Sequence, residues 1–134
     1  MKKIVLDSYA LIAMFLDEDG ADFVKQILID GNTGTHELHI TSYNMGEVYY
    51  MIWRKNSKKQ AEVCWHAMKD LHLFITEPTL DLTFTAATLK ATHKLSYADA
   101  HAAALAINLN AVLITGDKEF DNLKSKQLKV RYIT

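Results

Sequence analysis

The chain has 134 residues, 49% hydrophobic and 23% charged, with a formal net charge of −1. That length fits one domain, 1–134, able to bury about two-thirds of its unfolded surface, and the composition excludes a disordered chain. Near-neutral charge excludes a protein coated in nucleic acid, so any contact with a polyanion has to rest on local patches.

Cys64 is the only cysteine, which excludes an internal disulfide and fits a reducing compartment. Asp7 interrupts the apolar run after Met1-Lys2-Lys3, no small-residue cleavage site follows, and no segment approaches the ~18 apolar residues of a membrane span. A cytoplasmic location without membrane contact is expected.

The first element is Lys3-Ile4-Val5-Leu6-Asp7. Its apolar centre, with two β-branched residues, reads as a strand buried on both faces. Asp7 stands where the chain leaves the sheet, so it is either a helix cap or the corner of a site. Helices follow over Ser8–Leu16 and roughly Gly20–Ile29, then loop chemistry at Asn32-Thr33-Gly34 and a weaker strand over Leu38–Thr41. His36 and His39 read as loop residues, and no Cys/His set has zinc spacing.

Ser42 is expected to cap a helix to about Arg54 whose core face is Met45, Val48, Tyr49 and Ile52. Tyr50, Met51 and Trp53 leave it apolar on its other sides, which points to burial or a partner. Asn56-Ser57 breaks that helix and caps the next, with Ala61, Cys64, Trp65 and Met68 as its stripe. Leu73–Ile75 is a third strand, ended by Glu77-Pro78. Thr79 opens a helix expected to bury Leu80, Phe84, Ala87 and Ala91. Ser96 caps a helix over Tyr97–Ala104, whose alanines permit close approach to the sheet. Ala111–Thr115 is a fourth strand, followed by Gly116-Asp117, a helical turn through Phe120 and an edge strand near Val130–Ile133. Short apolar runs alternating with periodic ones indicate an α/β chain of βαβ units and a mainly parallel sheet.

Four acids stand out. Asp7, Asp99 and Asp117 each have a cap reading: Asp99 is three residues after Ser96, and Asp117 follows a strand. Glu47 has none. It is inside its helix, and the residues at its i±3 and i±4 spacings include Tyr43, Tyr50 and Met51, with Arg54 two turns away. If the first and fourth strands are neighbours, all four carboxylates meet at one edge. Each pair at 4 Å would then repel by roughly 4 kcal/mol at an effective dielectric of ~20. The lysine nearest in sequence to any of these acids is Lys118, beside Asp117. A hard cation such as Mg²⁺ or Mn²⁺ would offset that charge.

In this order and spacing, Val5-Leu6-Asp7-Ser8-Tyr9-Ala10-Leu11, Asn44-Met45-Gly46-Glu47-Val48-Tyr49-Tyr50, Leu95-Ser96-Tyr97-Ala98-Asp99-Ala100 and Ile114-Thr115-Gly116-Asp117-Lys118-Glu119-Phe120 resemble the PIN domain family of metal-dependent ribonucleases. The resemblance covers nearly the whole chain. It implies a three-layer αβα fold with strand order 3-2-1-4-5, and Asp7, Glu47, Asp99 and Asp117 around Mg²⁺ or Mn²⁺. It also implies RNA cut to a 5′-phosphate and a 3′-hydroxyl. Many short members are toxins of VapC-type toxin–antitoxin pairs, so a cognate antitoxin is an expected partner. One departure is His101, where an aromatic is expected in close relatives; it is read as a packing residue.

The expected chemistry is hydrolysis of a phosphodiester by a metal-activated water. Asp7 and Asp99 are assigned as direct ligands, Asp117 as a ligand directly or through water, and Glu47 as holding a water of the metal's shell. Ser8, Thr115 and Glu119 are supporting groups beside those ligands. Arg54, Lys55, Lys58 and Lys59 form one cationic cluster, and Lys118, Lys124, Lys126 and Lys129 another. Each serves RNA contact or solubility equally well. Tyr50, Met51 and Trp53 suggest a homodimer, with an antitoxin segment laid near the helices Ser42–Arg54 and Ser57–Asp70.

Three other readings compete. A haloacid dehalogenase phosphatase needs a second Asp two positions after the first, where this chain has Tyr9. A receiver domain needs a lysine after its last core strand, absent from Thr115-Gly116-Asp117. The third is a PIN-like module that binds RNA or protein without cutting, and metal-dependent cleavage separates it from the enzyme.

Overall fold

Every strand runs parallel to its neighbours, because what separates successive strands is always a helical segment and never a two-residue turn. The computed structural model describes residues 2–123 and 127–134; Lys124 and Lys126 of the second cationic cluster lie outside the described residues. The elements are β1 (Lys2–Leu6), α1 (Ser8–Phe15), α2 (Ala21–Asn32), β2 (His36–Thr41), α3 (Ser42–Lys55), α4 (Lys58–Lys69), β3 (Leu73–Thr76), α5 (Leu80–Thr92), α6 (Tyr97–Leu109), β4 (Val112–Thr115), a 3-10 helix (Lys118–Leu123) and β5 (Lys129–Tyr132).

The sheet order is β3-β2-β1-β4-β5, with helices on both faces, as the resemblance implies. Central β1 splits its side chains between two cores. Ile4 and Leu6 join Leu38 and Ile40 under α1–α4, while Val5 joins Leu113 under α5 and α6. Ala100, Ala102, Ala103, Ala104 and Ala106 are fully buried, so α6 lies close against the sheet. Register sets Leu6 beside Ile114, which brings the end of β1 and the end of β4 side by side.

Several local expectations change. The cap of α3 is Thr41, whose hydroxyl accepts from Asn44 N–H at 3.1 Å; Thr41 is still extended at φ −78°, ψ 154°, and Ser42 is already helical. His36 and His39 belong to β2, where His39 is buried and stacks on Phe74 at 5.1 Å. Helix α6 runs on to Leu109, five residues past Ala104, and ends where Asn110 turns left-handed at φ 51°. In α5 the buried residues are Leu82 and Ala86, while Leu80 and Phe84 are 70% and 63% exposed. That helix is apolar on two faces, and the face that fits the alanine surface of α6 is the one that packs. Met51 is half-buried against the core, whereas Tyr50 and Trp53 are exposed, as is Tyr43 at the start of α3.

Candidate active site

Asp7 is both cap and site corner. Its Oδ1 accepts the Ala10 N–H at 2.9 Å, opening α1, and its Oδ2 accepts the Thr115 hydroxyl from the end of β4. Thr115 Oγ1 accepts the Asp117 N–H at 2.9 Å, and Asp117 Oδ1 accepts the Glu119 N–H at 2.9 Å. One short relay therefore fixes three acids against two adjacent strands. Asp99 is held on α6, where its N–H donates to the Ser96 Oγ at 3.1 Å. From α3, Glu47 accepts the Ser8 hydroxyl on one oxygen and the Tyr50 hydroxyl, at 3.3 Å, on the other. Its partners are thus neutral donors, with no cation among them.

These elements enclose an open pocket of about 280 Å³ lined by Ser8, Tyr9, Ile12, Glu47, Met51, Ser96, Asp99, Asp117 and Glu119. Carboxylate oxygens of Asp99, Asp117 and Glu119 all lie within 4.8 Å of one another. Asp7 sits deeper, only 1% exposed, beneath that triplet. A larger cleft, about 420 Å³, opens at the other end of β2 and β3 beside His36, Leu38 and Leu73, far from the acids, and its lining is mostly apolar.

The electrostatics follow from burial. Desolvation pushes the Asp7 carboxyl up to about 7, against the Thr115 and Ala10 hydrogen bonds that favour its anion, and Asp99 and Asp117 add repulsion. Asp99 is pushed up to about 6 by burial first, then by Asp117, Glu47 and Glu119. Among the described residues the ion pairs are Lys25–Asp22, His36–Asp30 and His39–Glu37, none of them at this pocket. Among the described residues no ion pair compensates the negative charge. An all-carboxylate set of hard oxygens with no thiolate or imidazole fits Mg²⁺ or Mn²⁺.

The structure thus brings Asp7, Glu47, Asp99 and Asp117 to one edge, with Ser8 and Thr115 bonded directly to two of them. Glu119 contributes an oxygen to the triplet as well as standing beside it. Tyr9, Ile12 and Met51 also line the pocket, and sequence reasoning gave them no place there; Tyr9 packs over Gly116, where a Cβ would lie 2.1 Å from its ring. His101 is fully buried between Tyr43 and Tyr97, its Nδ1 donating to the Tyr97 carbonyl at 2.9 Å, and so packs as expected.

Among the described residues no cationic side chain lines the pocket. The Arg54 guanidinium stands 5.3 Å from the Tyr50 ring centroid, and the Lys58 ammonium 5.4 Å from that of Trp53. Lys55 and Lys59 are exposed beside them, and exposed Lys118 rests 3.7 Å from the Tyr132 ring centroid.

Comparison with known proteins adds a family. The model of the PIN domain family matches residues 4–126. The fold is similar to VapBC2 from Rickettsia felis bound to a DNA fragment from its promoter, at 18% identity and a TM-score of 0.74, covering 97% of this chain and 98% of that one. It is similar to VapC20 of Mycobacterium tuberculosis, a toxin cleaving the sarcin–ricin loop, at 14% identity and a TM-score of 0.76, covering 94% and 98%. It is also similar to DNA-bound VapBC from Salmonella typhimurium, at 12% identity and a TM-score of 0.76, covering the whole of both chains. A sequence comparison with curated proteins gives no match.

Proposed function

The chain belongs to the PIN domain family, and on that premise we propose that it is a divalent-metal-dependent endoribonuclease, the toxin half of a toxin–antitoxin pair. The observation that carries the proposal is the acid pocket: three carboxylates with oxygens within 4.8 Å, Glu47 also lining the pocket, Asp7 buried beside it, and, among the described residues, no ion pair to neutralise them. Asp99, Asp117 and Glu119 would hold Mg²⁺ or Mn²⁺, with Asp7 below them and Glu47 opposite. When bound, such a cation neutralises charge on the scissile phosphate and makes water a nucleophile near neutral pH.

The chain's own part is orientation. Thr115 and the Ala10 N–H hold Asp7, Ser8 and Tyr50 hold Glu47, and the rigid ends of β1 and β4 keep both in place. Glu47, held by neutral donors only, is the group placed to accept a proton from water entering the pocket. Nothing in this arrangement needs a protein nucleophile.

The toxin role draws support from structural neighbours that are toxins or toxin–antitoxin complexes. A cleft of about 400 Å³ between α3 and α4, lined by Met45, Gly46, Tyr49, Glu62 and Trp65, offers an antitoxin segment a seat. Self-association as a homodimer is better supported at β3 and α5, where Phe74, Leu80 and Phe84 are exposed, than at the α3 residues chosen from sequence. Asp99→Asn tests the reading. The amide keeps the shape and loses the charge, so Mn²⁺-dependent cleavage of an end-labelled RNA should fall at least 100-fold in a protein that still melts cooperatively. Cleavage at the wild-type rate would refute the site.

A further inference from the structure

The acid pocket cannot by itself hold an RNA strand, since every charged side chain lining it is a carboxylate and no cation lines it among the described residues. A run of cations with neighbouring aromatic rings lies along the outer face of α3. There Tyr50 donates its hydroxyl to Glu47, so the face begins at the pocket wall. Trp53 follows one turn on, about 9 Å along the helix from Glu47. Tyr50 and Trp53 are both exposed. Arg54 and Lys58 each lie over one of these rings, and among the described residues neither they nor Lys55 and Lys59 pair with a carboxylate.

We propose that single-stranded RNA leaving the acid pocket runs down the outer face of α3, with bases stacked on Tyr50 and Trp53 and phosphates held by Arg54 and Lys58. The proposal rests on the nuclease reading and specifies the path its substrate takes. Magnitudes favour an exchange of partners. A base stacked on an aromatic ring is worth roughly 5- to 150-fold in affinity, against roughly 2- to 5-fold for an exposed cation over the same ring. The base therefore displaces the cation, and the cation moves to a phosphate. Without RNA, the rings and cations shield one another. Stacking accepts any base, so this face binds strands without selecting sequence. Continuity of this face with the acid pocket through Tyr50 favours the substrate strand over a protein segment as its occupant.

The test uses the folded Asp99→Asn protein, which does not destroy the probe, and a fluorescein-labelled oligouridylate dodecamer in Mg²⁺. Trp53→Ala should weaken binding at least five-fold. Arg54→Gln with Lys58→Gln should lower the slope of log K against log salt by about 1.4, the loss of two single-strand phosphate contacts. Lys2→Gln with Lys3→Gln, at the far end of β1, should change neither. In a Trp65→Phe background the remaining tryptophan fluorescence should respond to RNA. Unchanged affinity and slope in the α3 variants overturn the path while leaving the nuclease reading intact, provided wild type cleaves RNA with Mn²⁺. If the α3 variants keep RNA affinity but lose an oligomer seen by light scattering, the face belongs to a protein partner and the proposal is overturned. If the parent protein binds no RNA and wild type cuts none, both readings fail together.

Discussion

Removing the deepest acid should stabilise the metal-free protein. Asp7 is raised from 3.8 to about 7, mainly by burial. Its folded form keeps a proton that the unfolded chain has lost, so stability falls as pH rises from about 4 to about 7. At about 1.4 kcal/mol per unit, the loss above that window is on the order of 4 kcal/mol. Asp7→Asn escapes it. The amide can still accept the Ala10 N–H and cap α1, because Asn caps as well as Asp. It gives up the Thr115 hydroxyl as a charge-assisted donor, a cost of roughly 1–2 kcal/mol. The net gain at pH 8 is about 2 kcal/mol, several degrees in Tm for a chain of this length. At pH 5 most of the gain disappears, because wild-type Asp7 is then largely protonated. Calorimetric melts of both proteins in EDTA at pH 5 and pH 8 measure the difference directly. A variant that melts lower than wild type at pH 8, or a difference independent of pH, would refute the account of the buried carboxyl.

Mn²⁺ at ten times its Kd should stabilise wild type by about 1.4 kcal/mol, a shift of a few degrees, and Asp117→Asn should shrink that shift in the same melting assay. Gly31→Ala should destabilise by about 1–3 kcal/mol in urea unfolding, because the new Cβ would lie 2.3 Å from Leu38 Cδ1 in the core. Phe84→Glu should convert a dimer to a monomer by light scattering without changing the melting temperature by more than a degree or two, since that ring is exposed on α5.

The elements and the mainly parallel sheet were legible from local signals, whereas the strand order came from the resemblance to the PIN family. The meeting of the acids followed once the first and fourth strands were neighbours. Apolar runs made strands, Ser57, Thr79 and Ser96 capped helices as read, and the first and fourth strands proved adjacent. What the sequence did not reveal depends on packing between elements. Helix α5 has two apolar faces, and only the alanine surface of α6 decides that Leu82 and Ala86 go inward. Thr41 rather than Ser42 caps α3 because the strand register holds Thr41 extended. His36 looked like a loop residue from its polar surroundings, yet pairing with β1 extends β2 back to it. At the site, the hydroxyls of Ser8 and Thr115 were anticipated beside the acids. The Tyr50 hydroxyl on Glu47 and the cation–ring pairs beyond it come from side-chain directions that spacing alone leaves open.

The most direct test of the central claim is the chemistry of the cut ends. Wild-type protein incubated with end-labelled RNA should give products carrying a 5′-phosphate and a 3′-hydroxyl with Mg²⁺ or Mn²⁺, and none in EDTA, because a metal-activated water is the expected nucleophile in a pocket whose charged side chains are all carboxylates. Products bearing a 2′,3′-cyclic phosphate, formed equally in EDTA, would mean that the ribose hydroxyl attacks without a metal, and would contradict the account.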